Sequence, residues 1–129
     1  MQRTCIVVVD ASRARLFLFD RTAEPAGLRE ELIETTDLVN PARRTTRAER
    51  VSDRGFAKLI AQEVQRLIVS PQVQRLIVCA SPHMLGELRQ VAHTFERSGL
   101  EIAEVPRDLV TLSPPELRER LGDYGVLPA

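Results

Sequence analysis

The chain has 129 residues, 43% of them hydrophobic and 28% charged, which is one domain's worth of an ordinary globular composition. Eighteen basic and 18 acidic residues cancel, so no global field draws the protein to nucleic acid or to a membrane surface. Two cysteines, Cys5 and Cys79, are too few for a disulfide framework or a zinc site, and each sits in an apolar run that reads as a buried thiol.

The chain opens on MQRTCIVVVD. Its apolar run is shorter than the roughly 7–15 residues of a signal-peptide core, and no stretch nears the roughly 18 apolar residues of a membrane span. A cytoplasmic protein with no membrane span is therefore expected. Cys5 to Val9 is β-branched and ends at Asp10-Ala11-Ser12, the pattern of a buried strand and a turn. Arg13 to Phe19 alternates, with Ala14, Leu16 and Leu18 on one side and Arg13, Arg15, Phe17 and Phe19 on the other. It is expected to pair antiparallel with the first strand. Glu24-Pro25-Ala26-Gly27 is a turn, and Leu28 to about Asp37 reads as a more polar outer strand.

Residues 40–54 form a polar, Arg-rich connection in this reading. Phe56, Leu59, Ile60, Val64, Leu67 and Ile68 then recur at spacings of three and four, predicting a helix stopped by Ser70-Pro71. The hexamer Val64-Gln65-Arg66-Leu67-Ile68-Val69 returns letter for letter at Val73 to Val78. The first copy continues a helical stripe. The second, bracketed by two Ser-Pro pairs, is too short for a helix and reads as a buried parallel strand, because context outranks local propensity.

Ser81 is placed to cap a further helix with Pro82 at its first position, Met84, Leu85, Leu88, Val91, Ala92 and Phe95 on its apolar face, and Gly99 at its end. Leu100 to Val105 is another short strand. Ser113-Pro114-Pro115-Glu116 carries a capping box with Leu112 and Leu117 as a staple, and Gly122 is expected to end that last helix.

Three antiparallel strands followed by two parallel βα units predict one α/β domain over residues 1–129. Its single mixed five-stranded sheet, in the order 3-2-1-4-5, has a ribonuclease H-like or release-factor-like arrangement. In that order the two cysteines lie about four residues apart, roughly 13 Å at 3.3 Å per residue, too far for a disulfide.

Four stretches bring a family into view: Asp10 to Leu16; Leu38-Val39-Asn40-Pro41 with Val51-Ser52-Asp53-Arg54; Ala80 to Arg89; and Asp108 to Arg118. Together, in this order, they resemble the bacterial host-attachment family, whose members are described as required for attachment to host cells. The resemblance implies a distant kinship with the middle domain of archaeal and eukaryotic peptide release factors. A release factor's Gly-Gly-Gln tip is absent, which argues against peptidyl-tRNA hydrolysis. The resemblance supplies no catalytic residues.

Open α/β sheets bind ligands beyond the carboxyl ends of their parallel strands. Asp10, Ser12, Ser81, His83, Arg107 and Asp108 are expected to gather there. Asp10, His83 and Asp108 are the catalytic candidates, because a carboxylate beside a histidine makes a general base and two carboxylates can hold magnesium. Against this, Asp10, Ser81 and Asp108 each suit a capping role, and two carboxylates fall short of a two-metal site. His83 and His93 lie ten residues apart on one predicted helix and do not share a face as metal ligands would. No metal or cofactor is expected.

The other candidate surface is the segment 40–54, where Arg43, Arg44, Arg47, Arg50 and Arg54 outnumber Glu49 and Asp53. Guanidinium forks suit phosphate, which makes an RNA backbone or a ribosome the expected partner. No aromatic residue lies in the segment to stack bases. The function expected is a binding module, with a metal-dependent nuclease or small hydrolase as the alternative enzyme reading, and an adhesion factor acting outside the cell as a third.

Overall fold

The computed structural model describes residues 3–40, 49–91 and 99–128, the side chains of residues 49–52 excepted. Eight elements follow one another: β1 (Arg3–Val9), β2 (Arg13–Glu24), β3 (Gly27–Val39), α1 (Glu49–Ile68), β4 (Val73–Ala80), α2 (Pro82–Gln90), β5 (Glu101–Val105) and α3 (Pro114–Asp123). One mixed sheet runs β3-β2-β1-β4-β5, as expected. β1 pairs antiparallel with β2 and parallel with β4, and β4 pairs parallel with β5.

The β-branched runs of β1 and β4 occupy the centre because both of their faces must be covered. On one face Val7, Val9, Leu16, Leu76 and Val78 pack under Phe56, Ile60 and Val64 of α1 and Met84, Leu85 and Leu88 of α2. On the other, Ile6, Val8, Phe17, Phe19 and Ile77 pack against Leu117 and Leu121 of α3, with Val110 and Leu127 beside it. The alternation in β2 therefore separates two cores rather than a core from solvent.

The repeated hexamer takes both conformations. Its first copy ends α1 with Val64 and Ile68 buried, and its second is the centre of β4, where Val73 and Leu76 to Val78 are buried. A helix buries every third or fourth residue, whereas a central strand buries both faces, and the six letters satisfy either.

Four expectations need correction. α1 begins at Glu49, so residues 49–54 of the Arg-rich connection are helical. Apolar periodicity does not reveal this turn because its buried stripe starts with a charged residue: Asp53 is 3% exposed and precedes Phe56 and Ala57 by three and four positions. α3 runs through Gly122 and stops at Tyr124, with Gly125 at φ 76° supplying the left-handed residue. α2 runs to Gln90 with Val91 as its C-cap, and Ala92, His93 and Phe95 lie outside the described residues. Finally, Cys5 pairs with Leu76 and Val8 with Cys79, so the cysteines are three register positions apart and face different cores. Both thiols are free and buried, and burial pushes each up to about 12. Among the described residues, no helix is long and apolar enough to cross a membrane.

Candidate functional site at the carboxyl end of the sheet

Val9 pairs with Ala80 and Cys79 with Val105, so the turns after β1, β4 and β5 leave the sheet at one edge. Three of the polar residues found there have local work. Asp10 Oδ1 accepts from the backbone N–H groups of Ser12 and Arg13, both at 2.7 Å, which closes the β1–β2 turn. Ser81 Oγ accepts from Met84 N at 3.4 Å and caps α2. Asp108 Oδ1 accepts from Val110 N at 3.2 Å, and Arg107 is exposed. Two of the three catalytic candidates, Asp10 and Asp108, thus serve the backbone.

His83, the third, has a carboxylate beside it, but a different one. Its Nε2 lies 2.9 Å from Asp53 Oδ2. The Asp53 side chain is 4% exposed and that of His83 is 57% exposed. A carboxylate accepts and does not donate, so in this contact His83 Nε2 carries a proton and donates it to Asp53 Oδ2. Asp53 went unrecognised because its partner is 30 positions away, although its three- and four-residue spacing to Phe56 and Ala57 was a usable signal.

Asn40 was the other omission. It is 6% exposed; its Nδ2 donates to Ala11 O at 2.9 Å and its backbone N donates to Ser12 O at 2.8 Å. The end of β3 is thereby tied to the turn after β1. Beyond it, Arg43, Arg44 and Arg47 lie outside the described residues, and Arg50 lies in α1 with its side chain undescribed. Arg54 donates from Nε to Glu87 Oε2 at 2.5 Å, and its Nη atoms have no acceptor among the described residues. Among those residues, no group of three or more His, Cys, Asp and Glu is placed to hold a metal ion.

Another arginine is structural. Arg15, 8% exposed, bonds Glu34 and the carbonyls of Val110 and Leu112, and lies 5.0 Å over the ring of Phe17. It holds the connection between β5 and α3 onto β2.

This is the ribonuclease H-like arrangement, an open mixed sheet with helices on both faces. The fold is shared with RuvC of Thermus thermophilus, at a TM-score of 0.52 and 11% identity, covering 99% of this chain and 82% of that one. The chain belongs to the host-attachment family: the family described as "protein required for attachment to host cells" matches residues 44–121. Two further likenesses are to an Aquifex aeolicus Ppx/GppA phosphatase (TM-score 0.49, 14% identity, 81% of this chain) and to Dom34 of S. cerevisiae, a translation termination-like factor (TM-score 0.47, 12% identity, 95% of this chain). The chain spans only 36% of the length of each. Among curated proteins no match is found.

Proposed function

We propose that this member of the host-attachment family is a binding module that takes an RNA backbone at the carboxyl end of its sheet. Arg43, Arg44, Arg47, Arg50 and Arg54 supply the phosphate contacts. The observation that carries the reading is the anchoring on either side of Arg43, Arg44, Arg47 and Arg50. Asn40 is bonded to the turn after β1, and Asp53, in the second turn of α1, is bonded to His83 at the start of α2. Both anchors belong to the edge where open α/β sheets bind their ligands. The cytoplasmic setting and the ribosome as the RNA's source belong to the same proposal.

The test is fluorescence anisotropy with a mixed-sequence single-stranded RNA at two salt concentrations. Five phosphate contacts predict a roughly hundredfold loss of affinity between about 50 and about 200 mM salt. Reversal of Arg43, Arg44 and Arg47 to Glu removes most of the binding and flattens that slope. Binding that survives both the reversal and high salt assigns it to another surface.

One observation favours a second reading, a small hydrolase. The buried Asp53 holds the half-exposed His83 ring by Nε2, the carboxylate–histidine pairing that a general base uses. The first reading is preferred because Ser81 is engaged as a cap and neither it nor Ser12 sits in a nucleophile-elbow pattern. Turnover of a phosphodiester or ester substrate that disappears in His83→Ala supports the hydrolase; turnover indifferent to that change dismisses it.

A further inference from the structure

The opposite edge of the sheet carries a cavity. β1, β4 and β5 are parallel, so their amino ends meet at one edge, and β2 returns alongside them. A cavity of about 390 Å³ opens there, within the roughly 300–1,000 Å³ range of small-ligand sites. Arg3, Arg21 and Arg75, from three different strands, line it together with Phe19, Glu101 and Leu127. Alternation puts Arg21 and Arg75 on the α3 face, in step with Phe19 and Ile77, and the segment after α3 forms a wall. That wall is held by arginines as well: Arg75 Nη1 donates to Val126 O, and Arg118 Nη2 donates to Pro128 O at 2.5 Å.

The guanidinium groups at this cavity are under-used. Arg21 Nε and Arg75 Nε are buried and make no hydrogen bond. Their nearest carboxylate oxygens stand at 3.5 Å, on Glu30, and 3.8 Å, on Glu101, close enough for attraction and too far for a good hydrogen bond. Glu30 is committed elsewhere, because Arg118 binds it with two bonds of 2.8 and 2.9 Å. Arg3 engages Asp20 only through Nε. The Nη atoms of Arg3 and Arg21 therefore have no acceptor among the described residues. A buried donor left without an acceptor destabilises the fold, and more so when it is charged. The two arginines that carry these donors, Arg21 and Arg75, both line this cavity.

We infer that the amino-end cavity is a binding site for a small organic phosphate. A phosphate group offers several acceptor oxygens to converging guanidinium forks, the geometry in which arginine binds anions best. The cavity is larger than phosphate alone requires, and Phe19 and Leu127 give it an apolar side for the rest of the molecule. This site is separate from the Arg-bearing segment at the carboxyl end and does not depend on it.

The experiment is an NMR titration of the full chain, reading the arginine Nε–H signals. The probes are inorganic phosphate, ribose 5-phosphate and, as the neutral twin, ribose. The expected result is a saturable shift of the Arg21 and Arg75 signals with both phosphates, tighter for the sugar phosphate, and none with ribose. Arg21→Gln weakens binding roughly tenfold or more while the amide spectrum stays folded. Arg29→Gln, on the exposed hairpin, leaves binding unchanged, as does the carboxyl-end triple reversal. Shifts that do not saturate, or a response equal in Arg21→Gln, overturn the assignment and leave the cavity to solvent.

Discussion

The two ends of the sheet treat their polar groups in opposite ways. At the carboxyl end, Asp10, Asn40, Asp53, Ser81 and Asp108 each have a protein partner, and most of these partners are backbone groups. At the amino end, Arg21 and Arg75 keep buried donors unsatisfied beside a cavity. The carboxyl end lies where the fold's topology favours a ligand, yet Asp10 and Asp108 there serve the backbone of their own turns. The amino end has less topological claim, and two of its guanidinium Nε atoms are spare. In this chain, position in the fold and availability of functional groups point to different edges. Substitutions that measure how firmly each group is engaged test that contrast.

The largest effect is expected at Asp53. Removing this buried carboxylate takes the acceptor from His83 Nε2 in the α1–α2 seam. Asp53→Ala should cost about 2 kcal/mol and lower Tm by about 8 °C. His83→Ala should cost much less, because the ring is more than half exposed. Equal losses in the two variants, read by thermal melts, would make the pair itself, rather than the burial of Asp53, the stabilising element.

Asn40→Ala comes next, at about 1.5 kcal/mol. It removes the 2.9 Å bond to Ala11 O at a buried position and frees the end of β3 from the β1–β2 turn. Hydrogen exchange should report the loss as faster exchange at Val39 and in the turn. Unchanged protection there would mean that the backbone bond from Asn40 N to Ser12 O holds the junction alone.

The fold was largely legible in the sequence because its signals were local. β1 announces itself as a β-branched run, the two Ser-Pro pairs assign the second hexamer to a strand, and Ser113 with Glu116 marks the start of α3, where both bonds of the capping box form. What was misread turned on competition between signals. Gly122 and Gly125 both fit a helix stop, and only the latter adopts positive φ. The first turn of α1 was hidden because a buried aspartate opens its apolar stripe. Site residues followed the same division. The capping roles of Asp10, Ser81 and Asp108 can be read from their own neighbours. The Asp53–His83 pair and the Arg3–Arg21–Arg75 cluster unite residues from separate elements, and each arginine taken singly looks like the polar half of an alternating strand.

Asp10→Ala should cost about 1 kcal/mol, the usual range for a side chain that caps backbone donors. Two N–H groups lose an acceptor, but the turn is partly open to water, which replaces some of it. A Tm fall of about 4 °C is expected. If Asp10 instead served catalysis, its removal would leave stability unchanged or raised, since groups held for chemistry are often strained.

The smallest effect is the most diagnostic. Arg21→Met keeps the side chain's length and apolar stem while deleting a guanidinium whose Nε makes no hydrogen bond and whose nearest carboxylate already belongs to Arg118. A long ion pair of this kind, partly exposed, is worth about 0–1 kcal/mol, and removing a buried unsatisfied donor offsets it. The variant should therefore melt within about 2 °C of the wild type, or slightly above it. An arginine retained at a strand position where methionine serves stability equally well is held there for something other than the fold. A clear loss of stability in Arg21→Met would return it to the structural arginines, alongside Arg15, and the contrast between the two ends of the sheet would shrink to Arg75.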